Sequence, residues 1–117
     1  MSRDYRLYLE DILEAIRRIK QYTNATDYET FYNDTKTQDA VVRNLEIIGE
    51  AAGRLPQSCL LDAAEIQWRK IVGLGNILTH EYFGVSFPII WDIVQTKLDT
   101  LEATCRLLLD KGEKEAG

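Results

Sequence analysis

The chain has 117 residues, the size of a single domain that can bury a core of its own. Apolar residues make up 45% and charged residues 28%, a globular balance that excludes a disordered chain. With 14 basic against 19 acidic side chains the net charge is −5, so any nucleic-acid contact has to rest on a local basic patch rather than on the overall field.

Glycine and proline are sparse, 7 and 2, and their positions divide the chain. From Asp4 to Gln21, apolar residues recur in steps of three and four at Tyr5, Tyr8, Ile12, Ile16 and Ile19, one face of an amphipathic helix. The polar stretch after Tyr22 contains Asp27, which is placed to cap a short turn of helix through Tyr28, Phe31 and Tyr32. A second long helix is expected from Thr37 to Gly53, its inner face carrying Val41, Leu45, Ile48 and Ala52, with Gly53 and Pro56 to stop it. Residues 57–65 read as a loop with a brief helix. A third helix carries Trp68, Ile71, Val72, Leu74, Ile77 and Leu78 and is expected to end near Phe83 and Gly84. Ser86 suits the N-cap of a fourth, and Pro88 is tolerated in its first turn. Its inner stripe runs continuously through Phe87, Ile90, Val94, Leu98, Leu101, Cys105 and Leu108, and Lys111–Gly117 is expected to fray.

No segment alternates apolar and polar residues long enough for a strand. The expected fold is all-α: one domain over residues 1–117, an antiparallel four-helix bundle with short extra helices in its loops. Cys59 and Cys105 fit free, buried thiols in a reducing compartment. The N-terminus has acids where a signal peptide needs an apolar stretch, and no apolar run approaches the roughly 18 residues of a membrane span. A cytoplasmic protein without membrane contact is the expectation.

Bundles host many functions, so function has to come from particular residues. The only histidine, His80, has Ile77 three residues before it rather than the glutamate of a di-metal bundle, and no Cys/His cluster or phosphate-binding glycine loop is present. No metal or cofactor is therefore expected. The informative run is WRKIVGLGNILTHEYFGV, Trp68 to Val85. Asn76 lies one turn before His80, within reach of the imidazole, and Tyr82 follows on another side of the helix. Gly73 and Gly75 each cost about 1 kcal/mol relative to alanine inside a helix. Gly73 is expected to permit a close helix contact, whereas Gly75 reads as a missing side chain. On these residues alone, His80 is read as a structural or capping histidine before any other role.

This run resembles the HEPN superfamily, and within it the HepT-like toxins paired with minimal nucleotidyltransferase (MNT) antitoxins. Their signature, Arg-x4-His-x-Tyr, is embedded in a pattern that this chain matches at Trp68, Ile71, Gly73, Leu74, Asn76, Leu78, His80 and Tyr82. A second run, RNLEIIGEAAGRLP from Arg43 to Pro56, is also similar to the family. The resemblance implies a homodimeric ribonuclease that cleaves RNA, with tRNA as the substrate class, without a metal. His80, the position of Gly75 and Asn76 would form the catalytic motif, and Arg43 and Glu50 would support the cleft. It also implies neutralisation by a cognate MNT antitoxin, which transfers AMP from ATP to Tyr82.

One departure bears on all of this: Gly75 stands where the family has its motif arginine. That arginine would stabilise charge developing on the phosphate, so the chain as written is expected to be inactive or impaired. Arg69 and Lys70 lie too far from His80 within one chain, although a partner subunit could bring one closer; Arg43 on the neighbouring helix is the better stand-in. The alternative is a non-catalytic HEPN bundle that binds a nucleotidyltransferase partner or nucleic acid. A plain helical dimerisation module explains the bundle but leaves GLGNILTHEY unexplained. Three clustered cations, Arg17, Arg18 and Lys20, read as compensation of a helix dipole, and Trp68 and Trp91 as core or dimer anchors.

Overall fold

The computed structural model describes residues 4–80 and 86–116, with nothing of the side chains of residues 113, 115 and 116. Among these residues the fold is entirely helical. The elements are α1 (Tyr5–Thr23), α2 (Tyr28–Tyr32), α3 (Thr35–Gly53), α4 (Gln57–Asp62), α5 (Trp68–His80), α6 (Phe87–Thr96) and α7 (Leu98–Ala116).

Local chemistry sets the helix starts. Asp4 caps α1 by accepting from Arg6 N at 3.0 Å, and Asp27 caps α2 by accepting from Thr30 N at 2.8 Å. Asp34 accepts from Thr37 N and from the Thr37 hydroxyl, and this cap sets the start of α3 at Thr35, two residues earlier than the periodicity indicates.

Helix α3 is the centre of the bundle: it packs against α1 on one side and α5 on the other, and α1 in turn packs against α7. The pairings run antiparallel. Lys20 near the end of α1 binds Asp99 and Glu102 at the start of α7, while Gly112 near the end of α7 lies against Tyr5 and Arg6 at the start of α1. Ile12, Ile16 and Ile19 of α1, Val41, Leu45 and Ile48 of α3, and Leu98, Leu101 and Cys105 of α7 share one buried core. Leu9 and Ala15 are buried beside the expected stripe of α1. At one end, α2 and α6 meet through Phe31, which packs on Trp91 at 5.0 Å and edge-on against Phe87 at 6.1 Å.

Two expectations for the C-terminal region change. The apolar stripe from Phe87 to Leu108 is one face, as read, but Lys97 separates α6 from α7. Thr96 donates its hydroxyl back to Asp92 O at 2.8 Å, a bond of the type that bends helices. The segment after Lys111 continues as helix to Ala116, and Gly112 is buried under Tyr5, which ties this end to α1. The expected end of the third helix, near Phe83 and Gly84, lies outside the described residues.

Candidate functional site: a glycine-floored groove beside His80

Helices α3 and α5 cross with almost nothing between them. A Cβ at Gly75 would lie 3.0 Å from Gly49 Cα, and one at Gly49 would lie 2.8 Å from Gly75 Cα and 3.1 Å from Ile71 O. Both glycines are buried, and only residues without a side chain let the backbones approach this closely. Further along the crossing, Gly53 faces Val72. The expected roles of the two α5 glycines are thus exchanged: Gly75 makes the close helix contact, and Gly73 has nothing within 4 Å of where its Cβ would be.

Above this crossing lies an open groove of 580 Å³ between α3 and α5. Gly49, Gly53, Gly75 and Val72 line it from below, and Arg43, Glu46, Glu50, Arg54, Asn76 and Thr79 stand along its sides. The α3 residues follow helical spacing, which places all four charged groups on one face. They are neutralised in pairs: Arg43 reaches Glu46 at 3.3 Å and Arg54 reaches Glu50 at 3.7 Å. The two arginines are 66% and 59% exposed, so their guanidinium groups can exchange a carboxylate for an incoming anion at small cost. Glu50 and Arg54 also border a second hollow of 320 Å³ on the α1 side of α3, next to Tyr8 and Asp11.

The residues read from the sequence fall as follows. Gly75, Asn76, Arg43 and Glu50 all line the one groove. His80 is exposed on α5, at the shoulder of the groove rather than inside it. Among the described residues no hydrogen bond joins Asn76 to His80, so the two are free to engage a ligand separately. Tyr82 lies outside the described residues. Among the described residues, no group of three or more His, Cys, Asp or Glu is placed to hold a metal ion, and no helix is long and apolar enough to cross a membrane.

Sequence reading missed Gly49, Gly53, Arg54 and Thr79. The signal was present in GEAAG, residues 49–53, where two glycines four apart bracket two alanines, a pattern that admits a close neighbour. The cluster of Arg17, Arg18 and Lys20 is not a free basic patch. Both arginines bind Glu14, at 2.6 Å and 3.2 Å, and Lys20 is engaged by α7. Trp68 is a core residue whose indole donates to Ala63 O at 3.0 Å, and Trp91 belongs to the α2–α6 aromatic cluster.

A family described as "Ribonuclease HepT-like" matches residues 12–108. The chain is 42% identical over 97 residues to "Putative RNase MJ0127" of Methanocaldococcus jannaschii, covering 83% of this chain and 80% of that protein. It is 41% identical over 102 residues to "Probable ribonuclease HepT" of Thermococcus cleftensis, covering 87% and 93% of the two chains. A third relative, "Putative RNase TTE0752" of Caldanaerobacter subterraneus, is 36% identical over 106 residues, covering 91% and 95%. No solved structure matches. With the family matched over residues 12–108 and these relatives covered over most of their length, the protein belongs to the HepT-like ribonuclease family of the HEPN superfamily.

Proposed function

We propose that the chain is built as a metal-independent endoribonuclease acting as a homodimer on RNA, with tRNA as the substrate class, and that Gly75 leaves it impaired. Two copies each supply His80 to one cleft. One imidazole takes the proton of a ribose 2′-OH as that oxygen attacks phosphorus; the other protonates the leaving 5′ oxygen as the P–O bond breaks. A single histidine per chain cannot do both in one step, which is the chemical reason for two copies. Asn76 binds or orients the substrate beside His80, and Arg43 and Glu50 support the groove.

What carries this reading is the placement of Gly75. It lines the groove that Arg43 and Arg54 flank, with its Cβ position 3.0 Å from Gly49 Cα, so an arginine here reaches the groove once α3 and α5 part by a few tenths of an ångström. Its guanidinium would hold the charge that develops on the transferring phosphate. The same gap in the chain as written favours a second reading, a non-catalytic bundle that binds a nucleotidyltransferase or nucleic acid.

The proposed regulation is transfer of AMP from ATP to the Tyr82 hydroxyl by a cognate MNT antitoxin, with release of pyrophosphate. The added phosphate would repel RNA from the neighbouring cleft. In the cell this places the pair in the cytoplasm.

Cleavage of labelled tRNA by three forms tests the proposal: the chain as written, Gly75→Arg, and Gly75→Arg with His80→Ala. Gly75→Arg is expected to cut faster than the chain as written by on the order of 10²–10³, and the double variant not at all. Cleavage by none of them, with all three folded and Tyr82 unmodified by mass, would leave the binding reading in its place.

A further inference from the structure

Five aromatic rings close a circuit where α2 and α6 meet. Tyr28 lies 6.0 Å from Tyr32 and 6.2 Å from Trp91, Tyr32 lies 6.4 Å from Phe87, and Phe31 joins Phe87 to Trp91. Phe31 is fully buried, whereas Tyr32 is 56% exposed and Tyr28, Phe87 and Trp91 are half-buried. Among the described residues the Tyr28 and Tyr32 hydroxyls make no hydrogen bond, so these rings are not held by their polar ends.

A helix of five residues does not hold itself in water. Helix α2 is fixed from outside. Asp27 caps it, and the Asn33 amide donates to Glu29 O at 2.9 Å. The buried Gln38 amide donates to Phe31 O at 3.0 Å and to Tyr32 O at 2.7 Å. The Tyr32 ring is thus presented to solvent on a fixed backbone, perpendicular to Phe87, with little freedom left to lose on binding.

The charges around this ring select what can lie on it. Residues 24–39 carry Asp27, Glu29, Asp34 and Asp39 against Lys36 alone, and α6 adds Asp92 and no cation. Hydrogen bonds from Thr30 and Thr37 hold the Asp27 and Asp34 carboxyls below the ordinary carboxylate range. Glu29, three residues before Tyr32 on α2, and Asp92, next to Trp91, are exposed and have no ion pair among the described residues. Within the chain, Arg69 and Lys70 stand at the other end of α3, since Val72 meets Gly53 and Gly75 meets Gly49. Such a field repels RNA, and a two-fold contact between copies would set the same carboxylates against each other. A planar cation suits both features. It is attracted to the ring faces and to the carboxylates, and a guanidinium sheds water more readily than an ammonium.

We infer that the α2–α6 end is a docking surface for an arginine-bearing segment of a partner protein, with one guanidinium laid on the exposed face of Tyr32 beside Glu29. Trp91 and Asp92 extend the surface to a second basic residue of that segment. None of these residues lines the α3–α5 groove, and the inference does not depend on the ribonuclease reading.

Anisotropy of fluorescein-labelled peptides mixed with the full chain at low salt tests the surface without any need for cleavage. The probes alternate glycine with arginine, with lysine or with glutamate. The arginine peptide is expected to bind tightest, the lysine peptide more weakly and the glutamate peptide not at all. Tyr32→Ala, checked for folding by circular dichroism, is expected to weaken the arginine peptide about two- to fivefold. Tyr32→Phe is expected to bind as the chain as written does, because the ring face and not the hydroxyl is used. Glu29→Gln is expected to weaken it about twofold, and Glu10→Gln, which removes the same charge near Tyr8 and Asp11 beside the far end of α3, to leave it unchanged. Equal losses from Glu29→Gln and Glu10→Gln would mean attraction by net charge alone and overturn the inference. So would an arginine peptide held no better than its lysine twin, or a Tyr32→Ala variant that binds unchanged. Binding of a single-stranded RNA that Tyr32→Ala abolishes, or self-association that it abolishes, would overturn it in favour of nucleic acid or a second copy.

Discussion

A single methyl group has opposite effects at two glycines of this chain. At Gly49 it would meet Gly75 Cα at 2.8 Å and Ile71 O at 3.1 Å, and backbone on both sides has little freedom to yield. Gly49→Ala is therefore expected to cost about 1–3 kcal/mol. At Gly73 the methyl meets nothing, so Gly73→Ala is expected to stabilise the monomer by about 0.4–1 kcal/mol. Urea unfolding of the two variants measures both, and equal effects would contradict the α3–α5 crossing described above. Cys105 offers a second check. Burial, with a smaller contribution from Cys59, pushes its thiol from 9.0 up to about 12. Its folded value is raised, so the stability it confers is present below pH 9 and is lost as pH rises toward 12. At pH 8 it is expected to react with an aromatic disulfide reagent only on unfolding.

At the scale of elements, the ends of helices are governed by single polar groups. Glu14 is held down to about 2 chiefly by its hydrogen bond from Arg17, with the charges of Arg17 and Arg18 adding. Its folded value lies below the ordinary 4.5, so the contribution is present above pH 4.5 and lost as pH falls through about 2. Glu14→Gln is expected to flatten the acid limb of the stability curve in that window, measured by circular dichroism at low salt. The burial faces of the long helices were legible because Ile12, Ile16 and Ile19, or Leu98, Leu101 and Cys105, repeat at helical spacing whatever they pack against. The break at Lys97 was not, since the apolar stripe crosses it unchanged. The early start of α3 depends on Asp34, whose capping bond to Thr37 lies outside any apolar pattern.

For the whole molecule, the candidate site was legible as a set of residue types and not as an arrangement. Gly75, Asn76, Arg43 and Glu50 could be picked out one by one, yet their meeting in one groove requires knowing that α3 and α5 cross at Gly49. The two α5 glycines could not be told apart from sequence, because which one meets a neighbour is a property of the crossing.

The pairing of nearly every described arginine with a carboxylate has a consequence for how this protein would meet a polyanion. An arginine already neutralised releases few condensed counterions when it touches a phosphate, because its own acid has done that work. Among the described residues Arg69, Lys36, Lys70, Lys97 and Lys114 have no ion pair, which leaves about five cations in each chain to do so, and the logarithm of the affinity for single-stranded RNA should fall with the logarithm of salt at a slope no steeper than about −3.5. A slope of that size, measured by fluorescence anisotropy with and without Arg69→Ala, would mark an enzyme that holds its substrate at a few points rather than along a basic surface. Such a protein would bind RNA weakly in general and rely on the shape of its target to choose where it acts.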